Sequence, residues 1–72
     1  MTEFNMAQTG QRIKDLRNDL QLSQKELGMK IGVAANTICQ YESGMSETSL
    51  GVLVNLAVIL KTSTDYLLGL ED

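Results

Sequence analysis

The sequence predicts an all-α domain of five short helices, and three features of the chain support that prediction. Proline is absent, so no residue forces a break within a helix. Apolar residues recur at spacings of three and four, which places them on one face of a helix. Glycines stand where this periodicity stops, as expected for the turns that end helices. At 72 residues with one Phe, two Tyr and no Trp, the chain has room for one mainly aliphatic core.

The first helix is expected over about residues 8–19. Its apolar residues Ile13, Leu16 and Leu20 follow the helical spacing and are predicted to face the core. The residues before this helix show no firm periodicity, and we interpret them as a flexible arm. The expected organisation is an arm, one domain and a short acidic tail, at residues 1–8, 9–69 and 70–72.

The second helix has the clearest start signal in the chain. Ser23 can cap its first turn, and Glu26 can return the hydrogen bond, which together make a capping box. Leu22 can then pack on Leu27 across the start of the helix. Gly32 is expected to end the helix in a left-handed conformation.

The third helix is expected almost at once, over about residues 34–42, with Ile38 and Tyr41 facing inward and Gly44 at its end. Two short helices joined by a tight glycine turn are typical of a helix-turn-helix motif.

The fourth helix is predicted over about residues 49–60 and the fifth over about residues 64–68. Valine-rich segments also suit strands, but Leu53 and Val54 break the alternation that a half-buried strand requires, which favours a helix. The core-facing stripe of the fourth helix is expected at Leu50, Leu53, Leu56, Ala57 and Leu60. Its remaining apolar residues are Val52, Val54, Val58 and Ile59. Where the fifth helix or the arm does not cover these four, we expect a self-association surface.

The net charge argues by itself against a nucleic-acid ligand, because it is −3 and such ligands are bound by basic surfaces. The charge is unevenly distributed, however. Five of the six basic residues lie within residues 12–30 beside three acidic ones, a local net charge of +2. Beyond residue 30, one lysine stands against five acidic residues. One end of the molecule can therefore face phosphates while the other faces away.

Four short segments are each common, but their order and spacing in a chain of this length are specific. They are residues 22–27 (LSQKEL), 31–33 (IGV), 37–44 (TICQYESG) and 65–69 (DYLLG). Together they closely resemble the Cro/C1 (Xre-type) helix-turn-helix family of transcriptional regulators, over about residues 10–69. The resemblance implies a compact five-helix, lambda-repressor-like domain that binds DNA.

In that family the third helix lies in the major groove with its early residues against the base edges. The resemblance therefore implies base contacts from Ala35, Asn36, Thr37, Gln40 and Ser43. Asn and Gln suit adenine, and the methyl groups of Ala and Thr suit thymine, so a partly A·T operator is expected. The alternative for Asn36 and Gln40, which residue type alone favours, is that they are ordinary solvated helix residues.

The same resemblance implies contacts with the DNA backbone. Gln24 matches a family position at which a side chain and a helix N-terminus together hold a phosphate. Further candidates for phosphate contacts are Arg12, Lys14 and Lys25. The alternative for these three cations is a solvated charged face.

The resemblance also assigns a scaffold. Glu42 matches a family glutamate that pairs with an arginine of the first helix, here Arg17. We interpret the two as a structural ion pair, and the alternative is that Arg17 contacts DNA. Gly28 stands where the family usually has Ala, a small residue that permits close helix approach. The expected core of the motif is Leu27, Ile31, Val33, Ile38 and Tyr41.

Three departures from the family pattern predict a low nonspecific affinity for DNA with the fold intact. Ala34 stands where Ser or Thr commonly caps the recognition helix, and a missing cap costs about 1 kcal/mol. Gln40, Ser43 and Met45 stand where relatives often carry Arg or Lys, so fewer phosphates can be neutralised. Thr48 stands in place of the usual Pro before the fourth helix.

An enzyme is not expected, because the chain has no His and Cys39 therefore lacks an imidazole to activate it. Cys39 is expected to be a small packing or surface residue. No cofactor or metal cluster is expected, and the longest apolar run, residues 56–60, is too short to span a membrane. A cytoplasmic protein is expected.

The family implies a homodimer on a pseudo-palindromic DNA operator, acting as a repressor that blocks polymerase, with activation from the same site as an alternative. Two other classes remain open. An antitoxin or phage-type regulator would have a protein partner, such as a toxin or an antirepressor, which suits the acidic charge and the apolar fourth helix. A pure protein-interaction module without DNA binding would suit a recognition helix that is poor in basic residues.

Overall fold

The computed structural model describes residues 3–71, and all regular secondary structure within that range is helical. The elements are α1 (Met6–Asp19), α2 (Gln24–Ile31), α3 (Ala35–Ser43), α4 (Leu50–Ile59) and α5 (Thr64–Leu68). The prediction of five helices is therefore confirmed. Residues 1, 2 and 72, which belong to the predicted arm and tail, lie outside the described range.

Helix α1 begins at Met6 because Asn5 supplies an N-cap. The Asn5 Oδ1 atom accepts hydrogen bonds from the backbone N–H groups of Ala7 at 2.9 Å and Gln8 at 3.3 Å. The prediction of an arm up to residue 8 is therefore wrong for residues 6–8. Met6 is buried in the core, so this first turn contributes to packing as well as to helix length.

The ends of α2 and α3 follow the sequence signals. The Ser23 hydroxyl accepts from the backbone N–H of Glu26, and the Glu26 carboxylate accepts from the Ser23 N–H, both at 2.9 Å. Hydrogen bonds from Ser23 lower the pKa of Glu26. Gly32 and Gly44 end the two helices, each with φ of 81°, a conformation that costs glycine little. Ala34 makes no side-chain cap for α3, as its methyl group predicts.

The core lies where α3 packs against both α1 and α2, while α4 rests on α2 and α5. The predicted motif residues Leu27, Ile38 and Tyr41 are buried, and Ile31 and Val33 pack against them while partly exposed. Burying each large aliphatic side chain stabilises the fold by about 1.5–3 kcal/mol. The fully buried aliphatic side chains are Ile13, Leu27, Ile38, Leu56 and Leu67.

Two apolar residues predicted to face the core lie at the surface instead. Leu20 follows the last residue of α1 as its C-cap, so the helical periodicity no longer applies to it, and it is exposed. Leu50 is 83 % exposed, because it stands at the first position of α4 and at the edge of the stripe. The other stripe residues, Leu53, Leu56, Ala57 and Leu60, are buried as predicted.

The four remaining apolar residues of α4 divide into two pairs. Val52 and Ile59 pack against the core and are partly covered by their own chain, which argues against their assignment to a self-association surface. Val54 and Val58 are 52 % and 69 % exposed. Together with Leu50 they stand at successive intervals of four residues and line one side of the helix. We call Leu50, Val54 and Val58 the α4 ridge.

Gly28 provides the close helix approach expected of a small residue. It is buried in α2, and a Cβ atom at this position would lie 2.5 Å from the carbonyl oxygen of Val33. The turn between α2 and α3 therefore folds directly onto the α2 backbone, which sets the crossing of the two helices of the motif.

Candidate nucleic-acid interface

Helix α3 presents a polar face on the side opposite its buried residues. The buried residues are Ile38, Tyr41 and Glu42. Across the helix, at intervals of three and four, lie Asn36, Cys39, Gln40 and Ser43. Gln40 is half-buried and the other three are exposed. A helix with side chains is about 10–12 Å across and the DNA major groove is about 12 Å wide, so this face has the dimensions to enter it.

The structure brings together three of the five predicted base-contacting residues. Asn36, Gln40 and Ser43 share the polar face, whereas Ala35 and Thr37 are half-buried on its flanks in the first turn of α3. The same face contains a residue that was not among those predictions. Cys39 lies three residues after Asn36 and four before Ser43, and that helical spacing was the signal in the sequence.

The Gln40 side chain is oriented by the loop that follows α3. The Ser46 hydroxyl donates to Gln40 Oε1 at 3.4 Å, a long hydrogen bond. The Ser46 backbone N–H donates to the Gln40 carbonyl at 3.3 Å, which keeps Ser46 close. Since Oε1 accepts from Ser46, the amide nitrogen of Gln40 still has two N–H donors to offer. They can donate to acceptors on base edges such as purine N7.

The predicted partners Arg17 and Glu42 form a bidentate ion pair. Arg17 Nε lies 2.6 Å from Glu42 Oε2, and Nη2 lies 3.0 Å from Oε1. The third guanidinium nitrogen donates to the carbonyl of Leu22 at 2.8 Å. The side chains are 9 % and 4 % exposed. The hydrogen bond to Glu42 raises the pKa of Arg17 against the opposing effect of burial, so the guanidinium remains charged and joins α1, α3 and the segment between α1 and α2.

Gln24, the first residue of α2, lies next to this ion pair. Its Nε2 atom donates to Glu42 Oε1 at 3.0 Å, and the side chain is half-buried. Lys25 follows at the second position of α2 and is exposed. The predicted phosphate contact at Gln24 therefore stands at a helix N-terminus, where backbone N–H groups and the helix dipole favour an anion.

An open groove of about 380 Å³ connects α1, α2 and the polar face of α3. Lys14 is exposed on its α1 side, and the carboxylate of Glu42 at its floor is neutralised by Arg17. The groove therefore has one lysine beside a helix N-terminus, a combination that suits a phosphate. Its lining residues are Ala7, Gln11, Lys14, Gln24, Cys39, Glu42 and Ser43.

Arg12 is not brought to this groove. Its guanidinium carbon lies 5.8 Å from the centre of the Tyr66 ring, and its nitrogens lie beside Gly69. Two residues along a helix turn the side chain by about 200°, so Arg12 and Lys14 occupy different flanks of α1. In the structure Arg12 therefore joins α1 to α5, away from Lys14 and Gln24, and its phosphate contact stays a prediction.

Within residues 3–71, no group of His, Cys, Asp and Glu side chains is placed to hold a metal ion. The helices of that range are all too short or too polar to cross a membrane.

Sequence comparison places these features in a known family. The family described as Helix-turn-helix matches residues 13–67. The chain is 39 % identical over 62 residues to the uncharacterized HTH-type transcriptional regulator YobD of Bacillus subtilis, covering 86 % of this chain and 55 % of YobD. It is 32 % identical over 63 residues to the HTH-type transcriptional regulator ImmR of the same organism, covering 88 % of this chain and 50 % of ImmR. The chain thus spans about half the length of these curated relatives.

Solved structures confirm the fold. The P22 c2 repressor in complex with a synthetic operator is similar with a TM-score of 0.81 and 37 % identity, covering 83 % of this chain and 91 % of that one. SinR, a master regulator for biofilm formation, was solved in complex with DNA. It is similar with a TM-score of 0.77 and 33 % identity, covering 83 % of this chain and 97 % of that one. The restriction-modification controller C.AhdI from Aeromonas hydrophila is similar with a TM-score of 0.80 and 29 % identity, covering 86 % of this chain and 94 % of that one.

Proposed function

Because the chain belongs to the helix-turn-helix family, we propose that it binds double-stranded DNA with sequence specificity and regulates transcription as a repressor. Two observations on similar proteins support this proposal. The curated relatives YobD and ImmR are HTH-type transcriptional regulators, and the P22 c2 repressor and SinR were solved with DNA. A cytoplasmic location belongs to the same proposal, because a bacterial or phage operator lies there.

The observation that carries the proposal is the polar face of α3. Asn36, Gln40 and Ser43 stand on one exposed side of a helix whose other side is anchored by buried Ile38 and Tyr41. Side chains on a rigid element can discriminate between base pairs because their donors and acceptors are held in place. The amides at positions 36 and 40 have the chemistry to read adenine in the major groove.

Backbone contacts are proposed for Gln24, Lys14 and Lys25. Gln24 and Lys14 line the same groove, and Lys25 is exposed beside Gln24 at the start of α2. Two lysines neutralise few phosphates, so the affinity should depend on salt less steeply than for a strongly basic domain. Base contacts must then supply a larger share of the affinity.

A homodimer is proposed through the α4 ridge, with a second copy of this chain as the occupant. Leu50, Val54 and Val58 are exposed on a helix that contains no charged residue. An uncharged surface cannot form ion pairs with a charged partner. A two-fold axis, in contrast, would place one apolar ridge against the other. Two copies could then occupy half-sites about one DNA turn apart and block access of polymerase to a promoter.

The second candidate function is a protein-interaction module, with a toxin or an antirepressor as the partner. The observation that favours it is the polar face of α3, which has no Lys or Arg among its four residues. On this alternative the α4 ridge would meet a different protein, and α3 would have no role in selecting DNA.

Selection of bound duplexes from a random pool at a fixed salt concentration separates the two functions. The proposal predicts an enriched inverted repeat whose half-sites lie about 10 base pairs apart, centre to centre. A folded protein that enriches no sequence at low salt would overturn the proposal and favour the interaction module.

A further inference from the structure

We propose that Glu42 is a positioning residue for DNA binding, because it holds the Gln24 amide in the orientation from which that amide donates to a DNA phosphate. The inference rests on the proposed function and assigns the buried ion pair a second role. On this account the Arg17–Glu42 pair stabilises the fold and also prepares one contact of the interface.

The Glu42 carboxylate collects donors from two other helices. Oε2 accepts from Arg17 Nε at 2.6 Å, while Oε1 accepts both from Arg17 Nη2 and from Gln24 Nε2 at 3.0 Å each. An ionised carboxylate can only accept. The amide of Gln24 must therefore turn its nitrogen toward Glu42, which decides the orientation of the side chain.

An amide nitrogen has two N–H groups, and one is used by Glu42. The second N–H points away from the bond to Glu42. Gln24 lines the same groove as Lys14 and Ser43. In the first turn of α2 the backbone N–H of Glu26 is already capped by the Ser23 hydroxyl, whereas those of Gln24 and Lys25 have no partner within the helix. A phosphate at this end of the groove would therefore meet the second Gln24 N–H and the start of α2 together.

Arg17 makes this arrangement compatible with an anion. An unpaired carboxylate at the floor of the groove would repel a phosphate, but Glu42 is only 4 % exposed and is paired bidentately with Arg17. Because Gln24 is already ordered in the free protein, the conformational entropy of its side chain is lost on folding rather than on binding. Removing Glu42 should therefore weaken DNA binding even when the fold is retained.

The test is a double-mutant cycle in DNA affinity, with unfolding measured in parallel. Arg17→Met and Glu42→Leu are combined, since replacing both members of a buried ion pair with apolar residues often preserves stability. Gln24→Ala is then introduced into the parent and into this paired variant. All four proteins are titrated with the duplex obtained by selection.

On this proposal, Gln24→Ala lowers the affinity of the parent about tenfold, the magnitude of a hydrogen bond to a charged group. The paired variant binds the duplex with an affinity lower than the parent's by a similar factor, and its sequence preference is unchanged. Introducing Gln24→Ala into the paired variant lowers the affinity no further. Gln11→Ala is the matched control. Gln11 lines the same groove but donates to Asp15, so its effect should be equal in both proteins.

Glu42→Gln provides the second variant should the paired replacement fail to fold. Its amide keeps an acceptor oxygen for Gln24, so Gln24→Ala should still weaken binding in that protein, while the combination of Arg17→Gln and Glu42→Ala, which leaves no buried charge unpaired, should abolish the effect. An equal loss from Gln24→Ala in every background, with the parent bound to its duplex, would overturn the positioning role alone. Failure of the folded parent to bind any duplex would overturn the proposed function as well.

Discussion

Gly10 of α1 lies directly against the backbone carbonyl of Glu42 in α3. A Cβ atom at Gly10 would be 2.5 Å from that oxygen, closer than a carbon atom can approach without displacing it. Only glycine allows α1 and α3 to cross at this distance. Arg17 stands two helical turns further along the same face of α1, so the close crossing also brings its guanidinium to the Glu42 side chain.

Gly10→Ala should destabilise the domain although alanine favours helices. The gain in helix propensity is at most about 1 kcal/mol, whereas overpacking against backbone atoms that cannot rotate away costs about 1–3 kcal/mol. We therefore expect a lower free energy of unfolding, measured by urea denaturation followed by circular dichroism.

Gly51→Ala is the matched control for that substitution. Gly51 lies in α4, is exposed, and a Cβ atom there would contact nothing within 4 Å. This variant should gain about 0.5–1 kcal/mol in the free energy of unfolding. Equal stabilisation by both alanine substitutions would contradict the account of the α1–α3 crossing.

Ala34→Ser should stabilise the domain by supplying the missing cap of α3. Ala34 already has the extended backbone of an N-cap, with φ of −73° and ψ of 156°, and makes no side-chain hydrogen bond. A capping serine is worth about 1 kcal/mol, or roughly 4–8 °C in melting temperature for a domain of this size. Ala34→Val, which cannot cap, should show no such rise in thermal unfolding, and an equal rise in both would refute the explanation.

The capping box of α2 predicts a specific loss of stability in acid. Hydrogen bonds from Ser23 hold the pKa of Glu26 below its ordinary value of 4.5. Between the lowered pKa and the ordinary one, the unfolded chain binds more protons than the folded one, so stability falls as the pH falls through this range. The contribution is present above pH 4.5 and lost below the lowered pKa.

Glu26→Gln separates this effect from general acid denaturation, because glutamine keeps an acceptor for the Ser23 N–H and does not titrate. The difference in unfolding free energy between the parent and this variant should shrink as the pH is lowered from about 5 to about 3. A difference that is independent of pH would show that the Ser23–Glu26 hydrogen bonds contribute nothing to the acid response.

Val58→Lys should weaken self-association by placing a charge in the α4 ridge. Val58 is 69 % exposed, so the substitution creates no cavity and the fold should be retained. Sedimentation should show a shift toward the monomer. Met29→Lys is the control, since Met29 is 74 % exposed on α2, outside the ridge. If the Val58 variant dimerises as strongly as the parent, the ridge is not the interface at that residue.

The fold was largely predictable because its signals are local. Ser23 and Glu26 indicate the start of α2, and glycines with positive φ end α2, α3 and α5. The errors in predicting which residues are buried occur at the ends of helices, where the helical periodicity stops. Leu20 lies just past α1 and Leu50 at the first position of α4, so neither has the neighbours that an uninterrupted helix would provide.

The site was predictable only in part, because its contacts join residues that are distant in sequence. The Arg17–Glu42 pairing and the Gln24 position follow from the family resemblance. The hydrogen bond between Gln24 and Glu42, and the restriction at Gly10, depend on how α1, α2 and α3 cross. The contact of Arg12 with Tyr66 was not predictable for the same reason, since it depends on the packing of α5 against α1.

The central claim is that the polar face of α3 reads DNA bases, and Gln40→Ala tests it most directly. The affinities of the parent and of this variant should be measured, at one salt concentration, for the selected duplex and for duplexes that differ from it by one base pair. We expect the variant to lose discrimination at one position of each half-site, worth about 1–3 kcal/mol, and to keep it at the others. Unchanged discrimination at every position would contradict the claim that α3 is the reading helix.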